Sequence, residues 1–355
     1  MTINVAVIGS SFAKEAQLPA FRTIDDVNVV AIASAHLENA KRVAEQFGVP
    51  NAYDDWRQML DRHPVDLVSV VTPTVTHAPM TLAALEAGAH VVCEKPMAMN
   101  DDEARTMLDT AERLGRVHMI DHELRFNPNR RKIRQLIDDG AIGDVRHINI
   151  VNISSTWGDP ASRPKDDWWS LDSMGGGRLG ANGSHQIDLL RWWLGDVGAV
   201  SGQVATMVPD RRDKTTGEAW TATGDDQVSF TAEMEHGALA SVFLSGVARH
   251  NGGNFVQIFG SEGTITLSNA DEKLMLARAG EDFQDVSVRD PNADLPGIGK
   301  GIWNVSFVAL AEELTGAIRE KRPLREGATF ADGYQCQRVM DAIRQSWHER
   351  RWVNL

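Results

Sequence analysis

An alternation of short apolar runs with amphipathic segments fills the first 120 residues and limits the possible folds more than any other feature. The apolar runs share the length of a buried strand, and they lie at residues 3–8, 27–33, 65–71, 89–93 and 117–120. Between them lie helical patterns with clear ends: Asn100 and Glu103 form a capping-box pattern, and Gly48 is a typical stop residue. Strands that alternate with helices of this length form a parallel sheet covered on both faces. We therefore predict an α/β domain over residues 1–125.

The rest of the chain shows a different pattern, in which polar and apolar residues alternate along each strand. Residues 146–153 show it most clearly, and similar segments follow at 200–208, 227–235, 238–245, 255–260 and 264–267. Such alternation is typical of antiparallel strands with one face on a core. We predict a second, α+β domain over residues 126–355, with a large, open, mostly antiparallel sheet. Its final helices, near residues 303–320 and 329–349, are free to pack back on the first domain.

Charge and cysteine content narrow the choice of partners and compartment. The net charge of -13 argues against nucleic acid and anionic membranes, because both require a basic binding face. No run approaches the roughly 20 apolar residues of a membrane span. Cys93 and Cys336 are far apart, which indicates a reducing compartment without a disulfide framework. We therefore expect a cytoplasmic protein.

The turn after the first strand is a candidate dinucleotide site. A G-x-G-x-x-G fingerprint is expected there, but residues 9–14 are Gly-Ser-Ser-Phe-Ala-Lys and keep only the first glycine. Ser11 is small enough to let a phosphate approach the backbone. The second strand ends at Ser34 without a carboxylate, and this permits NADP as well as NAD. We predict that Gly9, Ser11, Phe12 and Ser34 bind the cofactor.

A second candidate site follows the strand that ends at Cys93, where Glu94, Lys95 and Pro96 come directly after the apolar run. The carboxyl ends of parallel strands are where ligands bind in open α/β sheets. A lysine at such a place is a catalytic group, a cofactor anchor or a partner in a surface salt bridge. These four residues alone leave the three interpretations open.

A third candidate site is the glycine-rich segment 175–188, which leads into a helix. His185 falls in the first turn of that helix, and Asp188 lies three residues later on the same side. The carboxylate could therefore orient the imidazole and stabilise its charged form. A structural histidine is the alternative. His118 and His122 are four residues apart, but His118 falls on a predicted strand, so we predict no metal site.

Taken together, these motifs resemble the Gfo/Idh/MocA family, the group of glucose–fructose oxidoreductase and inositol dehydrogenase. The matching positions are Glu94-Lys95-Pro96, Thr72-Pro73 with His77, Arg125 with Pro128, the run 175–188, Arg322-Pro323, Asp332-Gly333 and Ser346. The resemblance implies an N-terminal Rossmann domain with a doubly wound sheet, and a C-terminal open sheet that packs into homodimers or homotetramers. It also implies NAD(P)-dependent oxidation or reduction of a sugar, cyclitol or related polyol.

The resemblance further implies roles for individual residues. Lys95 would hydrogen-bond the reacting oxygen and stabilise its developing charge, and His185 would be the general base in oxidation. The residues expected along the cofactor are Thr72, Pro73, His77, Glu94, Lys95 and Arg125. The residues expected at the substrate are Lys95, Trp168, Asn182 and His185. Trp168, like Trp157 and Trp169, either stacks on a sugar ring or belongs to the core.

One position departs from the family pattern. Many members carry an aspartate four residues before the histidine, and Ala181 stands there in this chain. Two further functions therefore remain open beside dehydrogenation. One is a non-catalytic NAD(P)-binding regulator or sensor, and the other is an epimerase or glycoside-cleaving lyase that retains its cofactor.

Overall fold

The computed structural model describes residues 2–355, which divide into two compact units. The first unit contains the chain up to Asn127 and the segment Asp290–Gln335. The second unit contains Pro128–Arg289 and Cys336–Leu355. Residues 290–335, which we expected in the second domain unless the final helices packed back, therefore belong to the first unit.

Among the described residues of the first unit, six strands form a parallel sheet: β1 Ile3–Ile8, β2 Val27–Ala33, β3 Asn51–Tyr53, β4 Leu67–Val70, β5 His90–Cys93 and β6 His118–Ile120. Their order is β3-β2-β1-β4-β5-β6. The order reverses between β1 and β4, and ligands of doubly wound sheets bind beyond the strand ends at such a point. The predicted α/β fold is confirmed, although the short strand β3 was not predicted.

The helices that cover this sheet are α1 Leu18–Phe21, α2 Leu37–Phe47, α3 Trp56–Arg62, α4 His77–Glu86 and α5 Asp101–Arg113. A π-helical turn, Ala13–Gln17, leads into α1. At the start of α5, the Asn100 side chain accepts the Glu103 N–H at 2.9 Å, as predicted. The Glu103 carboxylate accepts in return from Met99 N–H at 3.0 Å, one residue earlier than an ideal capping box.

Two apolar cores explain why the strands of this sheet are buried on both sides. Val5 and Val7 of β1 belong to one core, whereas Ala6 and Ile8 point into the other. Successive side chains of a strand face opposite sides of the sheet, so a strand between two helical layers is apolar throughout. The near-continuous apolar runs in the sequence follow from this geometry.

The second unit begins with α6 Pro128–Asp138, β7 Val145–Ile153, a π-helical turn Leu179–Gly183 and α7 Ser184–Leu194. Its further strands are β8 Val197–Ala205, β9 Asp210–Arg212, β10 Ala219–Thr221, β11 Gln227–Met234, β12 Leu239–Ser245, β13 Gly253–Gly260, β14 Gly263–Ser268, β15 Lys273–Arg278 and β16 Gln284–Asp285. The chain then continues through α8 Ile302–Glu320, α9 Phe330–Glu349 and β17 Val353–Asn354.

The large sheet of the second unit has the order β16-β15-β14-β13-β7-β12-β11-β8-β17. Its neighbouring strands are antiparallel except β7 and β12, which are parallel. Buried and accessible residues alternate along β11 and β12, so one face of the sheet packs on the core and the other is open. The predicted open, mostly antiparallel sheet is confirmed. Strand β15 was not predicted, and β8 begins at Val197, earlier than the expected residue 200.

Helix α8 shows why part of the C-terminal region belongs to the first unit. Phe307 of α8 packs edge-on against Phe21 of α1, with ring centroids 5.8 Å apart. Leu310, Ala311 and Leu314 join the same apolar core as β1. The helix therefore supplies part of the cover of the parallel sheet. None of the helices within residues 2–355 combines the length and apolar character that a membrane crossing needs.

Candidate functional site

The turn after β1 has room only for a glycine at its first position. Gly9 has φ +115°, and a Cβ atom there would lie 1.9 Å from the carbonyl oxygen of Val71. Hydrogen bonds hold this turn against the ends of both neighbouring strands. Gly9 N–H donates to Ala33 O of β2 at 2.8 Å, and Val71 N–H, just after β4, donates to Ile8 O at 2.7 Å. The one glycine of the fingerprint that the chain keeps is thus the one that the sheet requires.

Hydroxyl groups lie at the ends of β1 and β2, where the adenine ribose of a dinucleotide would bind. Ser10 Oγ and Ser34 Oγ are 3.0 Å apart, and Ser34 N–H donates to Tyr53 O at 3.0 Å. Ser11 is exposed, and the half-buried Phe12 packs against the core that contains β1. The structure therefore brings the predicted residues of the first turn and Ser34 to the same edge of the sheet.

His77 ties together the loops that follow β4 and β5. Its Nε2 lies 2.8 Å from Thr72 O, and its Nδ1 lies 2.9 Å from Pro96 O. The ring is buried, and burial lowers the pKa of His77. A neutral imidazole has one N–H and donates to only one of these two carbonyl groups. His77 therefore acts in this structure by holding the cis Lys95-Pro96 peptide next to the Thr72 loop.

Next to Lys95 in the sequence, Glu94 belongs to a buried polar cluster that we did not predict from the sequence. Gln17 Nε2 donates to Glu94 Oε1 and to Asp121 Oδ2, both at 3.1 Å. Ser69 Oγ donates to Gln17 Oε1 and so fixes which end of the amide faces the two acids. Glu94 follows β5 and Asp121 follows β6, and the parallel arrangement brings these strand ends together.

Burial raises the pKa of each acid in this cluster. Burial raises the pKa of Glu94, and burial together with the charge of Glu94 raises the pKa of Asp121 well above its usual value. Burial, with Glu94 again adding to it, raises the pKa of Glu123 to about 8. The ammonium group of Lys95 acts in the opposite direction on Glu94 and Glu123. Burial also raises the pKa of the Cys93 thiol.

Arg125 lies in a structural tie within the first unit. Its Nη2 donates to Asp332 Oδ1 at 3.0 Å, and its Nη1 donates to Gly327 O at 3.2 Å. Asp332 also accepts the Thr329 N–H, at 2.8 Å. These contacts connect the turn after β6 to the start of α9, and the expected cofactor contact of Arg125 stays a prediction.

In the second unit, His185 and Asp188 occupy the first turns of α7, as predicted. Both side chains are buried. The preceding π-helical turn connects to α7 through Ser184 Oγ, which donates to Gly180 O at 2.7 Å. The spacing of three residues places the imidazole and the carboxylate on one side of the helix.

Asp225 organises the glycine-rich loop before α7, and this residue was missed in the sequence. Its Oδ2 accepts Leu179 N–H at 2.7 Å, and its backbone oxygen accepts Arg178 N–H at 2.6 Å. Gly177 has φ +116°, and a Cβ atom there would lie 2.4 Å from Asp225 Oδ1. Asp225 comes before β11, far from the loop in sequence, so only the tertiary structure reveals the contact.

The structure separates the candidates for substrate contact. Asn182 Oδ1 is buried and has no hydrogen-bond partner among the described residues, so it is an acceptor with unused capacity. The Trp168 ring stacks on Trp169 with centroids 3.9 Å apart, and both rings are half-buried. Trp157 is buried, with Gly246 beside its ring, and it belongs to the core.

Comparison with known proteins agrees with this geometry in both halves of the chain. Residues 3–122 match the family described as "Oxidoreductase family, NAD-binding Rossmann fold". Residues 130–266 match the "GFO/IDH/MocA C-terminal domain". The two matched segments contain the Gly9 turn, Glu94, Lys95, Asp121 and His185.

Individual relatives match over most of their length. Levoglucosan dehydrogenase of Pseudarthrobacter phenanthrenivorans is 29% identical over 99% of this chain and 98% of its own. The dTDP-3,4-didehydro-2,6-dideoxy-alpha-D-glucose 3-reductase of Streptomyces violaceoruber is 30% identical over 76% of this chain and 73% of its own. A solved structure of levoglucosan dehydrogenase in complex with NADH and levoglucosan has a TM-score of 0.89 at 28% identity, covering 100% of this chain and 99% of that one.

Proposed function

Because this chain belongs to the Gfo/Idh/MocA family of NAD-binding oxidoreductases, we propose that it interconverts a carbinol and a carbonyl group of a sugar, cyclitol or related polyol. When bound, the nicotinamide supplies the hydride chemistry. The observation that carries the proposal is the position of Lys95. It follows β5 at the carboxyl edge of the parallel sheet, and the tie through His77 holds its peptide in place.

The first unit offers groups that fit a dinucleotide. The Gly9 turn packs closely because it has no Cβ atom, and the Ser10 and Ser34 hydroxyls can both donate to and accept from a ribose. No carboxylate follows Ser34 within the next three residues, so a 2'-phosphate would meet no repulsion there. We propose that both NAD and NADP bind, with Ser34 at the adenine ribose. Thr72, Pro73 and Glu94 are proposed to line the cofactor.

The roles of the protein groups follow from what the reaction requires. We propose that Lys95 donates a hydrogen bond to the reacting oxygen and stabilises the negative charge that develops on it. His185 takes the hydroxyl proton in oxidation and returns it in reduction. Asn182 Oδ1, a buried acceptor, is proposed to bind a substrate hydroxyl. Trp168 is proposed to contact the sugar through the ring face that Trp169 leaves uncovered.

The test is turnover on a panel of sugars and polyols with NAD or NADP. Lys95→Ala should reduce kcat/KM by about 100-fold or more, which is typical for loss of a group that stabilises an oxyanion. Lys41→Ala is the matched control, because Lys41 is exposed and paired with Glu38 at 3.0 Å. Turnover that Lys95→Ala leaves unchanged would contradict the proposal. Ser34→Asp should weaken binding of NADP more than binding of NAD.

Ala181 favours two other candidate functions. An acidic group at this position would help the proton transfer of a dehydrogenase, and alanine cannot supply that help. A regulator or sensor would bind NADH without turnover on any substrate. An epimerase or lyase that retains its cofactor would copurify with NADH or NAD, and would convert substrate without net cofactor consumption. Mass spectrometry of the nucleotide released from purified protein separates these cases.

We also propose that the protein forms a homodimer or homotetramer through the open face of the second unit's sheet. Leu239 and Phe243 of β12 lie on that face and are 46% and 36% exposed. Apolar side chains rarely stay exposed as a group on a monomer. Leu239→Lys combined with Phe243→Lys should give a monomer in light scattering coupled to size exclusion. Neither of the two buried cysteines forms a disulfide, which supports the proposal of a cytoplasmic location.

A further inference from the structure

We propose that Glu94 and Asp121 share one proton in the resting protein and that this carboxyl pair, held by Gln17 and Ser69, sets the charge beside Lys95. Asp121 and Gln17 are then positioning residues for the reaction. The shared proton is a property of the first unit alone. Its consequence for catalysis by Lys95 rests on the function proposed above.

The geometry requires the two acids to be close to each other. One amide nitrogen, Gln17 Nε2, contacts an oxygen of each acid at 3.1 Å. This shared donor places one carboxyl oxygen of each acid near the other, and the second oxygen of Asp121, Oδ1, is buried without a hydrogen-bond partner among the described residues. A hydrogen bond between two carboxyl groups needs a proton, because ionised carboxylates only accept.

The groups around the two acids are the ammonium group of Lys95 and the neutral amide of Gln17, which is one positive charge for two carboxylates. Glu94 is 8% exposed and Asp121 is 0% exposed. Gln17 donates a neutral N–H group, which is a weak substitute for water around two anions. Two carboxylates at about 4 Å repel each other by about 4 kcal/mol at an effective dielectric constant of 20. Two acids in such a position therefore lose their protons in separate steps.

Ser69 makes the arrangement specific. Its hydroxyl donates to Gln17 Oε1, so the amide cannot turn its oxygen toward the acids. With the amide in this orientation, the acids receive N–H donation and not the repulsion of a carbonyl group. One buried chain of hydrogen bonds thus connects Ser69, Gln17 and the two acids. One of these acids, Glu94, directly precedes Lys95 in the sequence.

The charge state of Glu94 matters because its chain neighbour is Lys95. The ionisable groups that face this pair are Lys95, Glu123 and the Cys93 thiol. While the proton is shared, Glu94 carries only part of a negative charge. The Lys95 ammonium group is therefore attracted to Glu94 less strongly than to a full carboxylate, and it can bind a developing alkoxide more strongly.

The shared proton can be detected without any substrate. Infrared spectra of the protein at pH 7 should show the carbonyl stretch of a protonated, buried carboxyl group, recognised by its shift in heavy water. Asp121→Asn and Glu94→Gln should each remove the band assigned to the pair, while a band from Glu123 remains. Asp109→Asn is the matched control, because Asp109 is exposed and pairs only with Arg105 at 3.9 Å.

The effect on Lys95 is tested by acylation of Lys95 at a series of pH values, followed by mass spectrometry. In Asp121→Asn, the single negative charge of the pair is confined to Glu94, so the acylation curve of Lys95 should move to higher pH. In Glu94→Gln, the neighbouring charge is gone and the labelling curve should move to lower pH. A purely structural role of Asp121 would change stability and leave the labelling curve in place.

Each outcome bears on the proposal. Loss of the infrared band with opposite movements of the labelling curve supports it, whether or not a substrate is known. A spectrum without protonated carboxyl groups at pH 7 overturns it, and so does an unmoved labelling curve in a folded Asp121→Asn protein. Thermal melting and circular dichroism of each variant establish that the protein is folded. If both results hold but no sugar is turned over, the proposed function fails and the shared proton stands.

Discussion

The two units bury acidic side chains in opposite ways. In the second unit, Asp226 is buried against the equally buried Arg211 at 3.5 Å, and it also accepts the N–H groups of Met207 and Val208 at 2.7 and 3.0 Å. In the first unit, Glu94 and Asp121 are buried against each other and the neutral Gln17. One unit neutralises a buried carboxylate with a guanidinium group, and the other neutralises it with a proton.

The sheet types explain this difference. Parallel strands end at one edge, so the residues that follow β5 and β6 meet there even when their charges are alike. In the second unit, Arg211 of β9 reaches Asp226, which precedes β11, and brings a guanidinium group to that acid. In this protein the acids that share a proton lie at the sheet edge where ligands bind. The acid that is paired with arginine belongs to a contact that stabilises the fold.

The largest expected effect comes from breaking the arginine-bound pair. Arg211→Met leaves Asp226 buried with only backbone donors, and it should lower the free energy of unfolding by about 3–5 kcal/mol. Urea unfolding followed by circular dichroism measures the loss. Asp121→Asn in the first unit should cost much less or be neutral. Equal losses for the two variants would contradict the comparison.

The buried, protonated Glu123 should make the first unit less stable at high pH. Because the pKa of Glu123 is raised to about 8, the folded protein keeps a proton that the unfolded chain loses near pH 4.5. Stability therefore falls as the pH rises through this window, by up to about 5 kcal/mol. Glu123→Gln should reduce this dependence and leave the part that comes from Glu94 and Asp121, as shown by urea unfolding at pH 5 and 9. Glu112→Gln, at an exposed position, should retain it.

A buried base in the same unit should have the opposite pH dependence. His118 Nδ1 accepts the Phe330 N–H at 3.0 Å, and burial lowers the pKa of His118 to about 4. The stabilising contribution is present above the usual pKa of 6.5 and is lost as the pH falls toward 4, about 3 kcal/mol in all. His118→Asn keeps an acceptor and should lose this acid sensitivity. The exposed His250→Asn serves as its control.

The smallest effect is expected where an arginine meets an acid near the surface. Arg344 is 39% exposed on its side chain and lies 3.4 Å from Asp225 Oδ1. Arg344→Gln should cost about 1 kcal/mol or less, because the accessible guanidinium group is already hydrated and the Leu179 N–H still binds the carboxylate of Asp225. Urea unfolding beside Arg211→Met makes the comparison. A loss as large as that of Arg211→Met would show that burial of the cation is not what matters.

Much of the fold could be predicted from local patterns. The strands of the first unit could be recognised as continuous apolar runs, because both of their faces are buried. Those of the second unit could be recognised by alternating polar and apolar residues, because only one of their faces is buried. The α5 cap was visible because its two residues are three apart. Strand β3 was missed because its three residues are all half-buried and carry no periodicity. Strand β15 was missed although Leu274 and Leu276 alternate with more accessible neighbours.

By itself the sequence determined the order of the elements, the residues at strand ends and the family resemblance. These depend on periodicity, turn residues and short motifs, which are local along the chain. Only the tertiary structure decided that residues 290–335 pack with the first unit, that Asp225 supports the loop before α7, and that Gln17 joins Glu94 to Asp121. Those contacts connect residues far apart in the sequence, 104 positions for Gln17 and Asp121 and 207 for Arg125 and Asp332, and the burial that shifts the pKa values of the acids exists only in the folded chain.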